Sequence, residues 1–536
     1  MEKIILKHSY GYGWHKINST YVKGYLIHKG ELYQGKELAK VISNISETGS
    51  LRNFLSNSSG IFSLIKKEDD MLILATDITR TFPIFYSITE EGVLISDDTF
   101  YLNGLIKASI DPLEVVEFMR CGYTTTDRTL IDGIRQVQAG EILAITEDGG
   151  VRKDFYHEYS LKIQELLNLD VITLKKRFLE ILNNAINRLS AFAGDRTIVI
   201  PLSGGYDSRC IAATLRKNNF ENVILYTYGK KDSTEVRVAE KVAKKLGYEW
   251  LFIEQTEDIV DPDYPESKYF RRFYEFAFNH SSTVHMQDFF VFKYLSDNSI
   301  IPKDSIVVPG HSGDFLEGSH LRKLPLPKNR KAVVESIVLK HYSLNEHVKL
   351  PAEIKDRIVK YVFSYPKNVA LWSIDDNWNL KERQSKYIVN SNRTYEYFGY
   401  MHAIPLWDIE LVEFFRRFPI EYKYYRVLYN EALEESIFKE FDILIKQKDE
   451  ARGILSKFYH GHFRSSEFFR RIRYIGEKYL PYQIKRPLKD FLWKDENNMI
   501  AIAKPVLKRI NRKWNFSECN GIMADFCLHL LMSYKF

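Results

Sequence analysis

The 536-residue sequence predicts an α+β domain built on a layered antiparallel sheet, then an α/β domain built on a parallel sheet, and finally a helical C-terminal part. Three observations carry this prediction. Residues 1–160 hold short β-rich segments separated by turn residues, strand and helix patterns alternate through the opening of residues 165–450, and beyond about residue 380 the periodicity is mainly helical. A basic, aromatic helical extension fills 451–536. The length supports several cores, since a domain usually takes about 100–200 residues.

In the first part, residues 21–27, 61–65, 71–75 and 93–96 place apolar β-formers between Gly, Asp and Asn breaks, as in antiparallel strands with one face on a core. From about Leu166 the period changes. Leu174, Phe178, Ile181, Leu182, Ala185, Ile186 and Leu189 fall on one helical face and lead into the second part. There, strand 198–202, a Gly-rich turn and helix 208–215 are followed by strand 223–228. Helix 234–246, ended by Gly247, then gives way to strand 250–253. Such alternation argues for a parallel sheet covered by helices on both faces. A later β-like run, 305–309, ends in a second Gly-containing loop.

Composition narrows the function classes. Hydrophobic residues at 45% and charged residues at 27% match a folded globular chain rather than a disordered one. Lys and Arg number 76 against 70 Asp and Glu, and a net charge of +6 over this length does not point to nucleic acid. Cys121, Cys210, Cys519 and Cys527 form no CxxC pair and are too sparse for a disulfide framework, so they are expected to be core or inert surface thiols in a reducing compartment. The first residues lack the apolar run of a signal peptide, and no stretch approaches the roughly 18 apolar residues of a membrane span. A cytoplasmic protein is expected.

The most informative string is Pro201-Leu202-Ser203-Gly204-Gly205-Tyr206-Asp207-Ser208-Arg209, between a buried strand and a helix. Glycines let the backbone approach an anion, the helix N-terminus offers unpaired N–H groups, and two serines add hydroxyl donors. No GxxxxGK[ST] is present, so this is not a Walker A loop. Asp207 would repel bare phosphate, and its presence makes sense if it holds a magnesium ion bridging to phosphate oxygens. The second loop, Pro309-Gly310-His311-Ser312-Gly313-Asp314, also follows a predicted strand. In a parallel sheet Asp314 then meets Asp207 at the same C-terminal edge.

The SGGxDS string resembles the pyrophosphate-binding loop of N-type ATP pyrophosphatases. Residues 59–63, 77–86 and 129–134 through Gly140 resemble landmarks of the class II glutamine amidotransferase domain. Their order, ahead of the SGGYDS loop, is similar to that of asparagine synthetase-like proteins. The resemblance implies a first domain, 1–160, of degenerate amidotransferase (Ntn-like) type and a synthetase domain, 165–450, of adenine nucleotide α-hydrolase-like fold. It also implies ATP and Mg2+ as cofactors. Leu202, Ser203, Gly204, Gly205, Asp207, Ser208, Tyr228 and Gly310 would bind ATP, and Asp207 with Asp314 would hold the metal. The reaction implied is adenylation of a small-molecule carboxylate and its capture by ammonia or an amine, releasing AMP and pyrophosphate.

Several positions depart from the family pattern. His311 stands where the family has an acidic residue. With an unperturbed pKa of about 6.5, it is either the base that takes the amine's proton or a residue that only braces its loop or contacts substrate. Lys448 matches the lysine that stabilises charge in acyl transfer, or is an exposed helical lysine. Residues 399–408 resemble the PFLD segment that frames the substrate pocket, with Met401 and Ala403 at the usual acidic and Arg positions.

A class II amidotransferase also needs a cysteine as its mature first residue. Here Glu2 follows Met1 and the nearest cysteine is Cys121, so glutaminase activity is expected to be absent and the first domain to serve as scaffold or interface. A separate glutaminase or pathway partner and a homodimer are compatible assemblies. Two alternatives to the amide ligase stay open: an intramolecular cyclase of β-lactam synthetase or peptide macrocyclase type, and a non-catalytic ATP-binding scaffold. His460 and His462 lack partners for a recognisable metal site. The basic tail, including Arg470, Arg471, Arg473, Lys485, Arg486, Lys489, Arg509, Arg512 and Lys513, either grips a phosphorylated substrate or is a solvated helical face.

Overall fold

The structure, a computed structural model, describes residues 2–323, 325–425, 427–445, 495, 497–510 and 519–533. Among these, the first part forms two sheets. One runs β1 (Glu2–Ile5), β8 (Gly92–Ser96), β7 (Phe85–Thr89), β9 (Arg135–Gln136). The other runs β11 (Val151–Phe155), β10 (Glu141–Thr146), β6 (Met71–Thr76), β5 (Ser58–Glu68), β3 (Thr20–His28), β2 (His15–Ile17), with β4 (Glu31–Gln34) beside β3. Pairing is antiparallel except for β1 with β8.

The period of two decides the layering. Leu72 and Leu74 of β6 join Tyr86, Val93 and Ile95 of the other sheet in a core between the sheets. Ile73 and Ala75 point the opposite way, into the core shared with α1 (Gly35–Ser43) and α2 (Thr48–Ser56). On the far side α3 (Thr99–Ile106) lays Leu102 and Ile106 against Phe85 and Leu94, which completes a helix–sheet–sheet–helix sandwich. Asp98 caps α3, and Asp111 caps α4 (Pro112–Cys121), which ends at left-handed Gly122.

The second part opens with α5 (Val171–Ala193), which buries the predicted Leu174-to-Leu189 face and is capped by Asp170. Its sheet is all parallel, in the order β14 (Glu249–Glu254), β13 (Val223–Gly229), β12 (Ile198–Pro201), β15 (Ile306–Val307), β16 (Met401–His402). α6 (Tyr206–Lys217) follows β12, and α7 (Thr234–Leu246) joins β13 to β14 between a Ser233 cap and left-handed Gly247. Ile198 and Ile200 face one hydrophobic layer while Val199 faces the other with Phe292. Sequence order reverses between β12 and β15, so the loops after these two strands flank the topological switch point.

The two parts share one core. Tyr25 of β3 stacks on Phe192 of α5 at 3.7 Å, and the Tyr12 hydroxyl donates to the His402 carbonyl at 2.5 Å. Lys23, buried in β3, lies 3.7 Å from Glu396, which also pairs with buried Arg393 at 3.2 Å. The helices Met499–Arg509 and Cys519–Ser533 pack with Phe118 and Leu130 of the first part and with the helix Lys268–Phe278 of the second. Cys121, Cys210 and Cys527 are buried free thiols. No helix among the described residues is long and apolar enough to cross a membrane.

Candidate active site

β12 ends at Pro201, but the Leu202 N–H still donates to the Tyr226 carbonyl at 2.8 Å, so the chain stays in the sheet until it turns at Ser203. The N-cap of α6 is Gly205, and no side chain caps this helix. Its first N–H groups therefore face the cavity at the positive end of the helix dipole. The loop braces itself from within. The Ser203 N–H donates to Ser208 Oγ at 3.1 Å, the Gly205 N–H to Ser203 Oγ at 3.2 Å, and buried Arg209 donates to the Gly204 carbonyl at 2.8 Å.

The loop after β15 packs directly onto this turn, and its glycines are there for closeness. A Cβ on Gly310 would sit 2.8 Å from the Ser208 nitrogen, and one on Gly313 only 2.3 Å from Asp207 Oδ1. That approach lets the Asp314 N–H donate to Asp207 Oδ2 at 3.0 Å, while the Tyr429 hydroxyl donates to Oδ1 at 3.0 Å. Asp207 is thus aimed from both sides, and exposed Asp314 stands beside it. No cluster of three His, Cys, Asp or Glu that could hold a metal occurs among the described residues. Two neighbouring carboxylates suit a hard cation that completes its shell with water and phosphate oxygens, as Mg2+ does.

These loops form one end of a cavity of about 860 Å3. Leu202, Ser203, Gly204, Gly205, Asp207, Ser208, Tyr228, Gly310, His311 and Asp314, all singled out from the sequence, line it. β13 and α7 contribute Tyr226, Thr227 and Glu235. Asp288 is buried, which pushes its carboxyl upward, and it accepts from the Tyr226 and Tyr395 hydroxyls at 3.2 and 2.9 Å. The facing wall carries His285, Arg383, Gln384 and Ser391. His311 Nε2 and Ser391 Oγ hydrogen-bond at 2.9 Å. Burial holds both His311 and His285 down at about 4, so both rings are neutral at pH 7. Arg383 is then the single cation in the described lining, against the carboxyl groups of Asp207, Glu235, Asp288 and Asp314.

Some expected residues lie elsewhere. Lys448, His460 and His462 fall outside the described residues, as does most of the basic tail, while Arg509 pairs with Glu266. Residues 399–408 do not line the large cavity. Ala403, Ile404, Pro405, Trp407 and Asp408 instead border a separate space of about 30 Å3 with Tyr25, Ser59 and Ile78 of the first part. Two sets of contacts hold the segment in the seam: Arg188 of α5 forks onto Asp408 at 2.6 and 2.7 Å, and Ala403, Ile404, Leu406 and Trp407 are buried in the shared core. Tyr429, His285, Arg383 and Ser391 escaped the sequence reading because none sits in a recognisable string. Arg383 lies in a π-helical stretch, Asn379–Ile388, whose altered register shifts which residues face the cavity.

Comparison with known proteins agrees with this architecture. The glutamine amidotransferase domain family matches residues 17–157 and the asparagine synthase family residues 177–440. The human glutamine-hydrolysing asparagine synthetase is 26% identical over 232 residues, 41% of this chain and 40% of that protein. The microcin J25-processing protein McjC of Escherichia coli is 21% identical over 236 residues, 43% of this chain and 42% of that one. The aligned region spans about two fifths of the length of these curated relatives. Among solved structures, the ammonia-dependent NAD synthetase of Campylobacter jejuni is similar at 20% identity over 28% of this chain and 61% of that one, with a TM-score of 0.20. Two matched families in the order of the motifs, beside a parallel sheet with the SGGYDS loop at its switch point, make the chain similar in both parts to asparagine synthetase-like proteins.

Proposed function

We propose that this protein is an ATP-dependent, AMP-forming amide ligase that adenylates a small-molecule carboxylate and passes the acyl group to ammonia or an amine. The observation that carries the reading is the pairing of Asp207 with the Asp314 loop, beside the uncapped N-terminus of α6, in a cavity whose described lining holds one cation. Such a lining repels a polyphosphate unless a divalent cation enters with it. When bound, Mg2+ would neutralise charge on the pyrophosphate leaving group.

The chain's own groups do the rest. The first N–H groups of α6 and the hydroxyls of Ser203 and Ser208 cradle phosphate oxygens. Tyr429 and the Asp314 N–H fix the direction of the Asp207 carboxylate. His311, neutral and steadied by Ser391, stands ready to take the amine's proton, and the charge of a bound phosphate raises its affinity for that proton from the low value of the empty cavity. Lys448 is assigned charge stabilisation during acyl transfer.

Cys121 is not a nucleophile. It is buried in α4, its thiol donates to the Glu117 and Tyr123 carbonyls, and burial raises its pKa. With no nucleophile at Cys121, we assign the first domain a scaffold role, and the amine would come from solution, a partner or the substrate. A second reading, ring closure onto an amine of the same molecule, is favoured by a cavity toward the upper end of the roughly 300–1,000 Å3 of ordinary ligand pockets, and by the likeness to a microcin-processing protein.

The test is AMP and pyrophosphate release from Mg-ATP, with and without ammonium, across amino acids and sugar acids, with Asp207→Ala as the blank. AMP formed with one carboxylate only when ammonium is present supports the ligase. AMP without ammonium moves the reading to ring closure. No turnover with any acid and no ATP binding would sink both.

A further inference from the structure

Along the sheet edge the functional loops follow strand order: the Asp314 loop after β15, the phosphate loop after β12, then Tyr228 at the end of β13 and Gln255 just past β14. If phosphate lies at the α6 N-terminus and the acyl group toward β15, the nucleoside must extend toward β13 and β14. A segment outside the matched families closes that end. Asn497 lines the cavity with Tyr228 and Glu235, whereas the asparagine synthase match stops at residue 440.

This segment is held in place by specific bonds. The Asn498 amide donates to the Gln255 carbonyl at 2.6 Å, which ties it to the end of β14. Asp495 lies 3.8 Å from Lys230, just after β13, and accepts from the Met499 and Ile500 N–H groups at 2.6 and 3.1 Å at the start of the helix Met499–Arg509. That helix is anchored in turn, because the buried Tyr264 hydroxyl donates to the Ile502 carbonyl at 3.1 Å. Among the described residues the Asn497 side chain has no hydrogen-bond partner, whereas those of Asp495 and Asn498 each make at least one hydrogen bond. An amide offers a donor and an acceptor side by side, the pattern that matches the N6–H/N7 edge of adenine and mismatches the O6/N7 edge of guanine, which holds two acceptors.

We propose that Asn497 contacts the base of the bound nucleotide and contributes to choosing adenine over guanine, with Asn498 as its positioning residue. The inference rests on the ATP-binding reading above.

The experiment is calorimetric titration of the full chain with MgATP and with MgGTP, without acyl substrate, for wild type, Asn497→Ala and Asn498→Gly. Asn498 has φ +52°, a conformation glycine accepts, so the second variant removes the tether without straining the backbone. Loss of one base contact should weaken MgATP binding by roughly three- to tenfold in Asn497→Ala. The ATP-to-GTP preference should shrink by the same factor, and the melting temperature should hold. Asn498→Gly should weaken MgATP binding in the same direction. If wild type binds MgATP and Asn497→Ala binds it equally well, or loses ATP and GTP affinity in equal measure, the base contact is refuted while the nucleotide site stands. If wild type itself binds no MgATP, the nucleotide reading falls and takes this inference with it.

Discussion

Gly313→Ala tests the site through a single methyl group. The new Cβ would lie 2.3, 2.4 and 2.7 Å from Oδ1, Cγ and Oδ2 of Asp207, about an ångström short of an ordinary contact. The carboxylate must swing away by that distance, and both bonds that aim it, from Tyr429 and from the Asp314 N–H, are lost. At about 0.5–1.5 kcal/mol each, with the half-exposed setting at the low end, the variant should lose about 1–2 kcal/mol in urea unfolding, less any gain from alanine in a first helical turn. An ångström of misplacement should also lower AMP release by about a hundredfold. The decisive comparison is the double variant. Asp207→Ala removes the three atoms nearest the methyl group, so adding Gly313→Ala to it should cost little stability, and the two changes should be non-additive by about 1–2 kcal/mol. Equal costs in both backgrounds, or wild-type AMP release from Gly313→Ala alone, would refute the packing argument.

Other outcomes follow from the same structure. His311→Ala should reduce AMP release by about 10²–10⁴-fold while leaving MgATP affinity intact, and unchanged release would remove His311 from the chemistry. Acid should unfold the protein early. Burial holds His8, His285, His311 and His341 at about 4 and His280 and His402 at about 3, below the roughly 6.5 of an unfolded chain, so the unfolded state binds more protons in between. Stability is then fully present above pH 6.5 and falls as pH drops toward 4, by up to about 1.4 kcal/mol per pH unit for each ring. Circular dichroism should find the midpoint between pH 6 and 4, and flat stability down to pH 4.5 would contradict the burial of these rings. Lys423→Met takes the ammonium 2.9 Å from Oδ2 of buried Asp376 and leaves that carboxylate with His320 at 2.6 Å on Oδ1, so it should cost about 3 kcal/mol in urea unfolding, the low end for a broken buried pair. A cost below 1 kcal/mol would mean that the pair is hydrated.

What was legible in the sequence was local. The β12 turn could be read because its glycines, serines and Asp207 sit within a few residues of a strand and a helix whose apolar spacing is unambiguous. The second loop could be read for the same reason, although β15 itself has only two residues. Tyr429 could not, because it reaches Asp207 across 222 positions of sequence and belongs to no string. The segment 399–408 shows the converse error. Its PLWD string matched a pocket motif, yet Arg188, far upstream, draws Asp408 into the seam. The apolar run of β6 is buried on both faces, whereas one face on a core was expected, because the second half of the chain joins the core that covers the other.

The Lys23, Glu396 and Arg393 cluster places a charged knot where a sequence-based boundary would put an inert joint. Cutting the chain near residue 160 would not release two smaller proteins. It would leave Glu396 and Arg393 of the synthetase half on a newly wetted face, beside the surface that Tyr25 and Tyr12 had covered. The first half thus covers a charged cluster of the second as well as an aromatic face, and a truncation at that boundary would expose both.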